Sequence, residues 1–364
     1  MAIRTPELKM SLGDDLEIAY YRFTQDEADG ADRKDLARQL SAVHHAESFP
    51  GEIAVRYLAD PDPVSSWLRQ SDIVHLMALC HPEEGVIGFG TCLERPGYLR
   101  GAVRRLGYFA SLKLLPAWRT KVRRIASVYM RMYELTRANV DLWYTTILSE
   151  NEAALKLLTK PRRSMPAYLH QGTYQVFCFA AARPLPDSPS LNRPAPPADS
   201  ELFARLDLSL TGFSSPLLHD ALIPQIEVRG GSRAYVKDLR DCKQYVLDSY
   251  GGRMRLVSKV PFQVAGYPRF PKEGTHVEWT AGQIIPGEKE FLEADVQRLL
   301  QAMRRESGRM GAELLLVGAM KNSPLAQVLG RHKHVSYTSE LFLVDWEKQG
   351  LPALQDISLD VAFL

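Results

Sequence analysis

The chain has 364 residues, more than one hydrophobic core ordinarily serves and enough for two. Its 45% hydrophobic and 24% charged residues are the balance of a water-soluble globular fold. A formal net charge of +2 gives no whole-molecule pull toward nucleic acid or membrane, so any basic site must be local.

Residues 16–23 read as the first strand, and residues 32–43 as a helix with apolar positions at Leu36, Leu40 and Val43. The proline-bounded segment 50–63 reads as turn, and 64–69 as a short helix. Strands are expected at 72–80 and 85–93, joined through His81-Pro-Glu-Glu-Gly85, which places Pro and Gly where a hairpin turn takes them. Residues 97–105 read as a basic loop. Next come a strand at 108–115, a corner at Pro116-Ala-Trp118, and the cationic turn Arg119-Thr-Lys-Val-Arg-Arg124, which opens into a helix. Apolar residues at Ile125, Val128, Tyr129, Met132 and Leu135 give that helix one buried face. A strand at 142–148, a helix opening Asn151-Glu-Ala-Ala154 and a strand at 174–181 complete the first half.

Six prolines between Arg183 and Ser200 mark a stiff linker. Past it, 201–233 is mixed, 234–250 has helical spacing, and 254–260, 261–267 and 276–284 read as strands. A helix at 290–308, a buried strand at 312–319, a short helix at 324–329 and a last strand at 337–346 follow. Placing Asn151 on Asn322 brings Ile125, Val128, Tyr129 and Met132 onto Val296, Leu299, Leu300 and Met303, and residues 142–147 onto 313–318. A helix face, a strand and a following Asn in one register argue for duplicated domains. The expected division is 1–183, a linker at 184–200, a second domain at 201–348 and a tail at 349–364.

A strand that feeds a helix through a cationic turn makes an anion site, because first-turn N–H groups and the helix dipole both face the anion. Arg119, Lys121, Arg123 and Arg124 stand where the dipole disfavours cations, which points to an anion between them. The order strand, proline corner, basic loop, helix, strand and Asn-Glu-Ala-Ala resembles the GCN5-related N-acetyltransferase (GNAT) superfamily, over about residues 16–182 and more faintly 234–347. That family has an R/Q-x-x-G-x-G/A loop and an N-x-x-A helix. Here the loop's two small positions hold Val122 and Arg124, so a positive φ at Val122 would carry strain of about 1–2 kcal/mol.

The resemblance implies an α/β (α+β) protein of two tandem GNAT-like domains, each a mixed, mostly antiparallel twisted sheet flanked by helices. It implies acetyl-coenzyme A as co-substrate, no metal, and direct acetyl transfer to a small-molecule or protein amine in the first domain. Leu114, Leu115, Trp118, Arg119, Thr120, Lys121, Val122, Arg123, Arg124 and Asn151 would hold the coenzyme. The family's usual helix tyrosine is replaced by Leu157, so Tyr168 and Glu150 are the candidate acid and base, with Glu94, Glu134 and Glu278 as further carboxylates. A chain-end carboxylate tucked into the first domain's site is another family habit. The second copy has Pro286-Gly-Glu-Lys289 where the loop would stand, which implies a degenerate domain.

A binding module without turnover remains an alternative. So does a nucleic-acid binder using Arg100, Arg104, Arg105 and 119–124, though it lacks interleaved exposed aromatics. His44-His45 and His332-Lys-His334 have no third ligand at metal-binding spacing and read as loop or surface histidines. No apolar run reaches membrane-spanning length, no signal-peptide pattern is evident, and Cys80, Cys92, Cys178 and Cys242 form no C-x-x-C pair, so a cytoplasmic protein with buried thiols is expected.

Overall fold

A computed structural model describes residues 5–13, 15–27, 33–46, 48, 52–122, 125–183, 192–194, 207–210, 222–227, 232–259, 266–285, 293–351 and 353–364. The first half runs β1 (Leu8–Gly13), β2 (Leu16–Thr24), α1 (Lys34–His44), β3 (Ile53–Ala59), α2 (Pro63–Leu68), β4 (Ile73–His81), β5 (Gly85–Leu99) and β6 (Ala102–Leu114). It continues through α3 (Ile125–Thr136), β7 (Leu142–Leu148), α4 (Glu152–Thr159) and β8 (Ala167–Ala180). Short strands β9 (Asn192–Pro194), β10 (Leu208–Leu210) and β11 (Leu222–Glu227) lead to β12 (Arg233–Lys237), β13 (Lys243–Tyr250) and α5 (Met254–Val257). The second half ends with β14 (Trp279–Ile285), α6 (Glu293–Arg309), β15 (Leu314–Met320), α7 (Pro324–Leu329), β16 (Val335–Asp345) and β17 (Ile357–Leu359).

One mixed, mostly antiparallel sheet crosses the molecule in the order β1-β2-β4-β5-β6-β7-β16-β8-β15-β14-β12-β11-β9. The two halves repeat one motif. Parallel β6 and β7 are linked through α3, and parallel β14 and β15 through α6. They also share strands: β16 enters between β7 and β8, while β8 pairs with β15 on its other edge. Side chains alternate across the sheet, so β2 sends Ala19, Tyr21 and Phe23 to one core and Ile18 and Tyr20 to another. The first core lies under α1 and α2; the second lies under α3 and α4.

Several expectations change. Residues 50–63 hold β3, whose backbone groups are satisfied by antiparallel pairing with β13. The basic loop at 97–105 is a β5–β6 hairpin, its turn made by Arg100 and Gly101 at φ 50° and 76°. Residues 234–250 are β12 and β13 around a turn closed by Cys242 N–H to Leu239 O, not a helix. Met254–Val257 is helical, and β1 has no counterpart in the sequence reading. Of the linker only β9 is described, paired with β11. The tail is interior: Leu359, Val361 and Ala362 are buried, and Asp360 forms a buried ion pair with Lys237.

Candidate functional site

β6 and β7 pair at only three positions, Leu106 with Leu142, Gly107 with Trp143 and Tyr108 with Tyr144. Beyond Tyr108 the strands diverge. The cause is a bulge in β6. Phe89 pairs with Lys113 and Thr91 with Ala110, so Ser111 and Leu112 together face Gly90. Ser111 takes φ 52°, the left-handed conformation that bends the strand away. Gly88 permits this bend, because a Cβ there would stand 2.9 Å from the Lys113 carbonyl oxygen. Two hydrogen bonds fix the start of the wedge: Thr145 Oγ1 donates to the Phe109 carbonyl, and Tyr108 and Thr146 share a hydrogen bond, both at 2.8 Å.

A cavity of about 650 Å³ passes through this wedge. Every residue of 108–114 and of 145–148 lines it, so it runs along both strand edges. On one side of the sheet it reaches Asn151 at the start of α4, and Val122, Tyr129, Met132 and Leu158, which pack in or against the core beneath α3 and α4. On the other it reaches His44, Tyr57, Trp67 and Phe89, together with Lys243, Tyr245, Trp279 and Tyr337 from the second half. Its size and its mainly apolar, aromatic walls are those of a small-molecule site.

Five of the sequence-selected residues meet on this cavity: Leu114, Val122, Glu150, Asn151 and Tyr168. Asn151 caps α4, its side chain accepting from Ala154 N–H at 3.2 Å. Glu150 is exposed at the rim. The Tyr168 hydroxyl is buried and unbonded, and burial, then neighbouring Tyr129, pushes its pKa well up. Leu115 is half-buried, its N–H donating to Ile87 O. Trp118 is buried, donates from Nε1 to Glu84 at 3.0 Å, and carries Lys121 Nζ 4.6 Å from its ring centroid. Arg119 and Thr120 are exposed and stand off the lining; Arg123 and Arg124 lie outside the described residues. Val122 does not adopt positive φ, so the strain that such a conformation would carry is absent; the positive φ near the wedge is at Ser111 in the β6 bulge.

The other carboxylates are engaged elsewhere. Glu94 is buried between His75 Nε2 at 2.9 Å and Arg105 Nη2 at 2.6 Å. Burial would raise its pKa, but those hydrogen bonds hold it below the usual carboxylate range. Arg105 also pairs with Asp72, which takes it out of the basic surface. Glu134 pairs with Arg131, and Glu278 with Arg240. Leu364 lines the cavity, its main-chain oxygen accepting from Lys243 Nζ at 2.6 Å, and burial lowers the Lys243 pKa to about 8. His44 is not at the surface: it is 1% exposed, and burial, then Lys113 and His45, lowers its pKa to about 3. Among the described residues, no three His, Cys, Asp or Glu side chains are grouped to hold a metal, and no helix is long and apolar enough to cross a membrane. Sequence reasoning missed Tyr57, Trp67, Lys243, Tyr245, Trp279 and Tyr337, because tertiary pairings bring them to the wedge.

No family model and no curated protein matches the sequence. Solved structures do match the fold. Saccharomyces cerevisiae N-myristoyltransferase with bound myristoyl-CoA aligns at TM-score 0.53 and 10% identity, over 94% of this chain and 87% of that one. A second structure of that yeast enzyme with bound myristoyl-CoA aligns at TM-score 0.51 and 10% identity, over 95% and 83%. A GCN5-related N-acetyltransferase from Kribbella flavida aligns more loosely, at TM-score 0.43 and 14% identity, over 92% and 72%. At these identities the likeness is one of fold. The chain shares its overall fold with that yeast N-myristoyltransferase.

Proposed function

We propose that this chain is a coenzyme A-dependent acyltransferase acting on an amine, with acetyl-coenzyme A as donor and the chemistry in the first half. The observation that carries the reading is the β6–β7 wedge: unpaired strand edges, held open by the Ser111 bulge, flank a cavity that connects both faces of the sheet. A pantetheine chain fits between such edges because their backbone groups can bond its amides. The donor enters on the α3 and α4 side, beside Val122 and Asn151, with Lys121 held by Trp118 near the turn that would receive the diphosphate. The amine enters on the opposite side, among Tyr57, Trp67 and Tyr245.

In the transfer, the amine lone pair forms the C–N bond, the C–S bond breaks, the thiolate takes the Tyr168 proton, and the proton shed by the adduct nitrogen returns to that phenolate. Glu150 on the rim accepts the proton of the incoming ammonium. The unbonded Tyr168 hydroxyl, kept protonated by burial, is the donor on the coenzyme side. Apolar walls exclude water from the thioester. The cavity exceeds the volume of an acetyl group, which favours a second reading in which the donor carries a longer acyl chain. Calorimetry tests both. Acetyl-coenzyme A and octanoyl-coenzyme A are titrated separately, and the absence of binding by either at millimolar ligand rejects the proposal. Thiol release over a panel of amines then separates an enzyme from a module that binds without turnover.

A further inference from the structure

Tyr337 is the most exposed tyrosine facing the cavity, and no candidate role so far includes it. It lies on β16, the strand the second half inserts beside β7. Its register partner on β8 is Val176, a member of the core beneath α1 and α2, so its ring projects to the amine side of the sheet. β7 ends at Leu148, opposite Ser339, which leaves Tyr337 just past the end of β7, where the wedge is wide. Tyr108, Tyr174, Tyr245 and Cys178 are near enough to interact with it electrostatically. Even so, 41% of it is open, and it lines the cavity. Among the described residues, its hydroxyl makes no hydrogen bond.

We propose that Tyr337 donates its hydroxyl proton in a hydrogen bond to the carbonyl oxygen of the bound thioester, so that the second half of the chain supplies a polarising group to the reaction site of the first. This deepens the acyltransferase reading and rests on it. A phenol in this place suits the task. Burial pushes its pKa up, so it stays an O–H donor at all working pH values. The negative charge that grows on the carbonyl oxygen as the amine attacks strengthens the bond at the transition state, and no covalent bond to Tyr337 forms. Because the hydroxyl has no protein partner, removing it leaves no buried group unpaired.

The test compares the wild-type chain with Tyr337→Phe, using acetyl-coenzyme A labelled with ¹³C at the carbonyl. Calorimetry reads binding, and infrared difference spectroscopy reads the carbonyl stretch of the bound thioester. The proposal expects equal melting temperatures and similar affinities. It also expects a carbonyl band at lower frequency in the wild type than in the variant. Turnover of whichever panel amine reacts best should fall about 10²-fold or more, as when one oxyanion donor is lost. An identical band in both proteins overturns the role of Tyr337 and leaves the acyltransferase reading standing. A variant that melts lower or fails to fold overturns it as well, because the hydroxyl then serves the fold. No binding by the wild type overturns the acyltransferase reading itself, and this inference with it.

Discussion

His44 makes the fold acid-sensitive by an amount the structure sets. It ends α1, packed against Tyr57 at 4.7 Å, Phe89 at 6.1 Å and Trp67 at 6.4 Å between ring centroids. Neither ring nitrogen makes a well-formed hydrogen bond, and the Tyr57 backbone offsets only a small part of the cost of burying an imidazolium. Lys113 on β6 and His45 repel one further, and the folded pKa falls from 6.5 to about 3. The unfolded chain therefore binds more protons between those values. Stability from this residue is fully present above pH 6.5 and is lost as pH falls toward 3. One pKa unit is worth about 1.4 kcal/mol, so acidification from pH 6.5 to 4 should remove about 3 kcal/mol, a large share of a typical net stability of about 5–15 kcal/mol. His44→Phe keeps an aromatic ring among aromatic neighbours and cannot titrate. Urea unfolding of both proteins at pH 7, 6, 5 and 4 isolates the residue, because every other titrating group is common to the two. The wild type should lose about 3 kcal/mol more than the variant over this range. Parallel stability curves would refute the reasoning.

Lys243 gives the opposite limb. Burial lowers its pKa from 10.5 to about 8, so the unfolded chain binds more protons between those values and stability should rise with pH by about 3 kcal/mol across them. Denaturation at pH 8 and 10.5 checks this, and Lys243→Met should abolish the rise. Gly318→Ala should cost about 2–5 kcal/mol in urea unfolding, because the new Cβ would lie 1.7 Å from the Tyr174 hydroxyl and break its bond to the Leu359 carbonyl. Asn151→Ala removes the cap of α4 and should cost about 1 kcal/mol in the same assay. It should also weaken acetyl-coenzyme A binding in calorimetry.

The elements that build the wedge were legible because their signals are local. The face of α3, the strand at 142–148 and the Asn151 cap depend on residues only a few positions apart, and each stands where the pattern puts it. The repeat was legible for the same reason: two β-α-β units carry the same apolar spacing. What escaped depends on distant partners. β3 shows no strand signal between its prolines, and its backbone is satisfied by β13, nearly two hundred residues later. The alternation in Arg233–Lys237 and Lys243–Tyr250 was masked by the turn at Leu239–Cys242, which left the whole segment with helix-like spacing. The β5–β6 turn carries Arg100 at positive φ, where Gly or Asn is the usual signal. The bend at Ser111 was likewise hidden, because no residue type announced it, and the strain was expected at Val122 instead. The wall formed by α1, α2, β13 and β16 could not be read at all, since only tertiary pairing between distant segments brings these elements together.

The measurement that bears most directly on the account is a crystal structure with coenzyme A bound. The account predicts density for the pantetheine arm between β6 and β7, alongside Ser111 and Ile147, with the diphosphate at the turn between Trp118 and α3 and the thiol pointing toward the side that holds Tyr57 and Tyr337. Coenzyme bound elsewhere, with the space between the two strands left empty or closed by side chains, would contradict it.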